Sequence, residues 1–338
     1  MKTYRVGVAC MVHDHVWGEL PLWAQMPNAE LVAAADENEP LRRQIKEQFG
    51  VQRLYASWQE MIAQEELDII QAASDNATTV EIVEAAAARG LHVISEKPMA
   101  ARLAQADRML AAVKKHGTRL AINWPTIRSA AWHTFAGMIQ AGDLGTVTYL
   151  KYRAAHNGPK EIGCSEYFWK WLYDEERNGA GALMDYCCYA SAMMSYLLGT
   201  PNSCVGIRSV LIKDYALPDD NAIILAKFDH AFGVAEASWT QPAHTSPPNP
   251  IAYGLGGCIG IEGETVVFTP VGGETQRIAP KPLEAPRRHG PEYLVHCLET
   301  GEEIEGLANA VVSRNAQEIL EAGLVSSNSG QEVKLPVA

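Results

Sequence analysis

Between Lys2 and Asn123, short apolar runs alternate with stretches of helical periodicity, and this alternation constrains the fold more than any other feature. Tyr4–Ala9, Glu30–Asp36, Asp68–Ser74, His92–Glu96 and Leu120–Asn123 are brief, apolar and mostly built of β-branched or small residues, the pattern of strands buried on both faces. Between them, Leu41, Ile45 and Phe49 fall four apart behind Pro40, and Gly50 supplies a stop. After Asn76, Val80, Val83 and Ala87 share one helical face that ends at Gly90, while Leu103, Ala106, Leu110 and Val113 mark a helix ending at Gly117. Parallel strands joined by right-handed helical crossovers make a doubly wound, Rossmann-like sheet.

A chain of 338 residues favours two domains. The texture changes after Asn123. Helical segments at Ser129–Ala141 and Asp185–Leu198 accompany strand-like runs at Thr146–Ala155, Ser203–Lys213, Asn221–Phe228, Phe232–Trp239, Cys258–Glu262 and Thr265–Thr269. Short links such as Asp229-His230-Ala231 favour antiparallel pairing. The expected architecture is α/β, with residues 1–123 a dinucleotide-binding domain and 124–338 an α+β domain for substrate binding and oligomerisation. The latter is expected to carry a large, mostly antiparallel sheet of about six strands. Gln241–Pro250, with four prolines in ten residues, is expected to be a loop. A sheet face left open would form an apolar patch, so a homodimer or homotetramer is expected.

The formal charge of −12 repels phosphate backbones, which argues against a nucleic-acid partner. The opening MKTYRVGVACMVHDH fits neither a signal peptide nor a membrane span, because its apolar run is broken at His13. Seven cysteines, two of them adjacent at Cys187 and Cys188 and none in C-x-x-C spacing, suggest reduced thiols in a cytoplasmic protein.

In a doubly wound sheet the first strand-to-helix turn attracts a pyrophosphate through backbone N–H groups. Here the usual G-x-G-x-x-G is missing: the glycine positions fall on or near Cys10, Val12 and His15, with Gly18 the only glycine of the turn. The segment His13-Asp14-His15-Val16-Trp17 fits a modified phosphate loop, a polar wall or an H-x-H metal site, but no third metal ligand is apparent. Asp36, followed by Glu37, is placed to accept ribose hydroxyl protons and repel a 2′-phosphate, unless Arg42 or Arg43 intervenes or Asp36 simply begins a loop. Glu96-Lys97-Pro98 puts a lysine at the carboxyl end of a strand, where a neighbouring nicotinamide cation would disfavour its ammonium form; a surface Lys-Pro turn is the plainer reading. Asp185 and Tyr189, four apart, share a helical face that serves a substrate hydroxyl or, equally, an acidic cap above a packed aromatic ring.

Together these residues resemble the Gfo/Idh/MocA oxidoreductase family, with its glucose–fructose oxidoreductase, inositol dehydrogenase and dihydrodiol dehydrogenase branches, over essentially the whole chain. Glu96-Lys97-Pro98 resembles the family's E-K-P motif, Ser74-Asp75-Asn76 its T-P-N cofactor loop, and Gly179-Ala180-Gly181-Ala182-Leu183-Met184-Asp185 its G-G-G-x-L-x-D segment. Tyr189 stands where many members have histidine, as in the dihydrodiol and xylose dehydrogenase branches. The missing glycine fingerprint, Asp75 in place of proline and Cys187 in place of glycine depart from the pattern.

The resemblance implies an oxidoreductase transferring hydride between NAD, rather than NADP, and a hydroxyl carbon of a sugar, glycoside or cyclic polyol. Lys97, Tyr189 and Asp185 would be catalytic. Cys10, Met11, Val12, His13, Asp36, Ser74, Asn76, Glu96, Lys97 and Asn123 would hold the cofactor. His15, His156, Trp169 and Trp171 are candidate walls of the substrate pocket, and no metal is expected. Two alternatives use the same residues: an enzyme that retains NAD for elimination or glycoside cleavage without net redox change, and a noncatalytic dinucleotide-binding regulator.

Overall fold

The computed structural model describes residues 2–243 and 247–337, so His244, Thr245 and Ser246 of the expected Gln241–Pro250 loop lie outside the described residues. In the first half, β1 (Tyr4–Ala9), β2 (Ala29–Ala35), β3 (Arg53–Tyr55), β4 (Ile69–Ala72), β5 (His92–Glu96) and β6 (Leu120–Asn123) alternate with five helices. These are α1 (Val16–Ala24), α2 (Glu39–Phe49), α3 (Trp58–Gln64), α4 (Thr79–Ala88) and α5 (Leu103–His116). The strands form one parallel sheet in the order β3-β2-β1-β4-β5-β6. Strand order reverses beside β1, so the crevice for ligands opens at the carboxyl ends of β1 and β4.

Local chemistry sets the helix limits. Leu41 and Ile45 bury one face of α2, Pro40 stands in its first turn, and Gly50 stops it at φ +72°. The five expected strands are present. The expectation missed β3, whose Arg53–Tyr55 segment is a partly exposed edge rather than an apolar run.

The second half contains α6 (Ala130–Ala141), β7 (Val147–Ala155), α7 (Glu166–Leu172), α8 (Glu175–Asn178) and α9 (Ala182–Leu198). Then come β8 (Ser203–Ser209), β9 (Asn221–Lys227), β10 (Phe232–Ser238), β11 (Ile251–Gly254), β12 (Gly257–Glu262), β13 (Thr265–Pro270) and β14 (Gln276–Ile278). The chain ends with α10 (Gly290–Thr300), α11 (Ala310–Ser329) and β15 (Val333–Lys334). The second sheet has nine strands rather than about six, in the order β14-β13-β12-β11-β7-β10-β9-β8-β15. The additional strands, β11, β14 and β15, are too short for an apolar pattern to reveal them. Among the described strands of this second sheet, β7 and β10 are the one pair that runs parallel, with α7, α8, α9, β8 and β9 between them in the chain.

Ile224, Ala226, Ala235 and Ala237 bury one face of this sheet against α9 and α11. The helix comes so close that a Cβ at Gly206 of β8 would lie 2.0 Å from the Gly323 carbonyl oxygen. α10 follows β14 of the second sheet in sequence yet packs on the first: Tyr293, Leu294, Val295 and Cys297 join Tyr4, Val6, Trp23 and Ile69 in one cluster. All seven thiols are free, and no helix among the described residues is long and apolar enough to cross a membrane.

Candidate active site

β5 delivers Glu96 and Lys97 to the carboxyl edge of the first sheet. Lys97 is 1% exposed, and its Nζ donates to Asp185 Oδ1 at 2.6 Å and to the Asp185 carbonyl at 3.2 Å. Burial alone pulls an ammonium toward neutrality, but the Asp185 carboxylate outweighs it and the net pKa direction is upward. Among the groups of the protein itself, Asp185 holds Lys97 charged.

The start of α9 explains how Asp185 reaches this place. Gly181 and Leu183 donate their N–H groups to the buried Asp219 carboxylate at 2.9 and 2.8 Å, which occupies the helix N-terminus in place of a local cap. Asp185 follows in the first turn. One turn on, the Tyr189 ring lies 4.9 Å from Lys97 Nζ, so the ammonium faces the ring rather than a hydrogen-bonded phenol oxygen. Burial pushes the phenols of Tyr186 and Tyr189 well up, keeping both neutral. Tyr152, Tyr186 and Tyr189 line one side of a cavity of about 1290 Å³ that extends to Pro125, Lys151 and Arg153.

The first turn is built differently from a glycine-rich loop. Cys10 adopts φ +63°, the left-handed conformation normally left to glycine, and its successors turn their polar groups inward. His13 is buried between His15 and Phe168, with ring centroids 4.5 and 4.6 Å away, and Trp171 donates from Nε1 to the Val12 carbonyl at 3.4 Å. Asp14 accepts from the N–H and Oγ of Ser165, fastening α7 over the turn. His15 Nδ1 lies 3.0 Å from Glu96 Oε2, and Asn123 Nδ2 donates to Glu96 Oε1 at 2.7 Å. His13, His15 and Glu96 thus bring ligand-type atoms within 4.8 Å of one another, so the third group not apparent in sequence comes from β5. Within the trio, His13 Nδ1 accepts from the His15 N–H at 3.3 Å.

A second cavity of about 280 Å³ lies at the ends of β1, β2 and β4, lined by Cys10, Val12, Asp36, Trp58, Ser74 and Arg177 among others. Asp36 accepts from the Met11 N–H at 2.6 Å and from the N–H and Nδ2 of Asn38, both at 2.8 Å. These three bonds leave roughly one of a carboxylate's four acceptor positions free. Arg42 donates to the carbonyls of Asp36 and Glu37.

Two family models match this chain: an oxidoreductase family with an NAD-binding Rossmann fold over residues 10–124, and the GFO/IDH/MocA C-terminal domain over residues 132–259. The chain belongs to the Gfo/Idh/MocA oxidoreductase family. Over 266 residues it is 26% identical to dTDP-3,4-didehydro-2,6-dideoxy-alpha-D-glucose 3-reductase of Streptomyces violaceoruber, spanning 73% of this chain and 75% of that protein. Over 154 residues it is 31% identical to D-apiose dehydrogenase of Paraburkholderia graminis, spanning 44% of this chain and 41% of that protein. The WlbA dehydrogenase of Bordetella pertussis, solved with NADH and UDP-GlcNAcA, superposes with a TM-score of 0.82 at 22% identity, covering 100% of this chain and 99% of that one. At that identity the likeness shows the fold.

Against the Gfo/Idh/MocA pattern, the structure brings Glu96, Lys97, Asn123, Asp185 and Tyr189 together, with His13 and His15 beside Glu96. His156 stacks edge-on against Tyr186 at 4.8 Å. Cys10, Val12, Asp36 and Ser74 line the smaller cavity, whereas Met11 and Asn76 are buried in supporting bonds, to Asp36 and Asn178. Trp171 is packing for the first turn, and Trp169 stacks with Tyr173 beneath Lys160; neither lines the larger cavity. The sequence reading missed Trp58, Tyr186 and Arg177. Trp58 is signalled by Ser57, whose Oγ caps α3, but the others depend on tertiary placement.

Proposed function

We propose that this member of the Gfo/Idh/MocA family is an NAD-dependent dehydrogenase of a hydroxyl on a sugar, glycoside or cyclic polyol. The buried Lys97–Asp185 pair carries the reading, because it stands between the dinucleotide-type edge of the first sheet and a tyrosine-lined cavity. Aromatic faces suit the C–H faces of a sugar ring. Named relatives act on such compounds, although the matches with the two curated relatives above span from two fifths to three quarters of their length. Residues 1–123 would serve the dinucleotide and 124–338 the substrate, with α10 returning to support the first.

The cavity beside Asp36, closed to a 2′-phosphate by Asp36 and Glu37 and with Arg42 engaged on backbone carbonyls, fits the adenosine end of NAD. Bound there, NAD supplies a nicotinamide carbon that accepts or delivers hydride. Lys97 handles the proton. In the reducing direction its ammonium donates a proton to the substrate oxygen as the carbonyl becomes a carbinol. In oxidation the neutral amine takes that proton, a form favoured once a positive charge lies beside it. The Asp185 carboxylate orients Lys97 and favours its return to the ammonium form by a proton taken from solvent, and the neutral Tyr189 phenol donates a hydrogen bond to the same oxygen. A panel of sugars and polyols, with NAD and NADP in parallel and read at the nicotinamide absorbance, tests the proposal. Turnover of none of them, in either direction, by a protein that binds NAD would refute it.

A further inference from the structure

The first turn has almost no backbone donors to offer a pyrophosphate. The Cys10 N–H donates to the Ala35 carbonyl, Met11 to Asp36, His13 to the Ala73 carbonyl, and His15 to His13 Nδ1. Val16 and Trp17 donate back to His13 and Asp14, so only the N–H groups of Val12 and Asp14 have no partner among the described residues. Cys10 also places a side chain where a glycine would let phosphate approach. The cavity wall adds repulsion, since Asp36, Glu37 and Asp75 all line it.

One cation stands among the described lining residues. Arg177, from α8 in the second half of the chain, donates from Nε and Nη2 to Asp75 Oδ2 at 3.2 and 2.7 Å, and its side chain is 43% exposed. A guanidinium has five N–H donors, and this contact uses two of them. The backbone on either side is held firmly: the Ala77 N–H donates to the Arg177 carbonyl at 3.0 Å, and Asn76 Nδ2 donates to the Asn178 Oδ1 at 2.8 Å. Asn178 in turn donates to the carbonyls of Leu172 and Ala180. Arg177 is therefore positioned by the backbone even when its side chain leaves Asp75.

We propose that Arg177 binds the dinucleotide's pyrophosphate, substituting a side-chain cation from the second half of the chain for the missing amide cradle, with Asp75 holding it ready in the free protein. The inference rests on the NAD reading above. It makes the site's charge balance intelligible, because an anion entering beside three carboxylates needs a countercharge, and guanidinium pairs with phosphate through parallel donors.

Calorimetric titration of NAD and of ADP-ribose into the full chain tests it. Arg177→Gln is expected to weaken both roughly 10- to 100-fold, and Arg177→Lys to recover part of the loss. Asp75→Asn, which keeps the bond to the Thr78 N–H but removes a carboxylate charge, is expected to tighten both ligands. A purely structural role for the ion pair predicts that Arg177→Gln and Asp75→Asn weaken binding alike, and that result would overturn the proposal, as would unchanged affinity in Arg177→Gln. Failure of the unaltered chain to bind NAD would instead remove the NAD reading on which it rests.

Discussion

Lys97 Nζ and Asp185 Oδ1 lie 2.6 Å apart, with both side chains almost wholly buried, and this contact joins the end of β5 to the first turn of α9. Two charges withdrawn from water depend on each other, and removing one leaves the other uncompensated. Lys97→Ala is expected to lower turnover about 10²- to 10⁴-fold, the usual worth of a positioned acid or base. NAD affinity is expected to change far less, since Asp36 and its cavity remain. Near-native turnover with an active substrate would take Lys97 out of the chemistry.

The same pair sets a pH dependence. Lys97 titrates above its unfolded value of about 10.4, so the stability contributed is fully present below that pH and is lost as pH rises through the folded value. Asp185→Asn leaves burial to act on Lys97 unopposed. Its ammonium then loses its proton at lower pH, and the alkaline fall of the reductive rate moves down the pH scale. Rate profiles of the unaltered and Asp185→Asn proteins check this; coincident alkaline limbs would show that Asp185 does not hold Lys97 charged.

Cys10 carries a Cβ at φ +63°, a conformation that costs a non-glycine residue roughly 1–2 kcal/mol. Cys10→Gly removes that strain but gives the unfolded chain more freedom, worth about 0.4–1 kcal/mol in the other direction. The net expectation is stabilisation of up to about 1 kcal/mol, read as a higher denaturant midpoint with an unchanged slope. A lower midpoint would mean that the Cys10 side chain contributes more packing than its backbone costs.

Much of the first sheet was legible because parallel strands buried on both faces leave continuous apolar runs, and Gly50 and Gly117 mark helix ends by the left-handed conformation both adopt. The Asp185–Tyr189 spacing likewise revealed a shared helical face. What could not be read was which side chains satisfy one another across the fold. Asp14 holds Ser165, the N-cap of α7 151 positions later, and Glu96 answers His15 from β5. Trp171 looked like a pocket wall by residue type, yet its burial against His13 and Val12 assigns it to packing.

Asp36 binds the Met11 N–H and Asn38 while facing the smaller cavity, so its replacement removes support as well as a ligand contact. Asp36→Ala is expected to weaken NAD by roughly 1.5–3 kcal/mol, about 10- to 150-fold. Unchanged affinity by calorimetry would remove Asp36 from the cofactor site.

The open face of the nine-stranded sheet aligns Ile207 with Ile223 across β8 and β9, and Phe232 and Tyr253 flank Tyr149 on the same side. Ile207, Ile223, Phe232 and Tyr253 are 69%, 48%, 49% and 44% exposed, large apolar side chains open to water on one face. The opposite face is packed by α9 and α11. A second copy applying the same face is the self-complementary solution, and a homodimer or a tetramer built from it is expected. Light scattering at micromolar concentration checks the mass. Ile207→Lys with Ile223→Lys would place two ammonium groups on each apposed face, facing like charges across the interface, and should yield monomers that keep their NAD affinity because the Asp36 cavity lies on the other sheet. A monomeric mass for the unaltered chain would show that the face is left to water despite its composition.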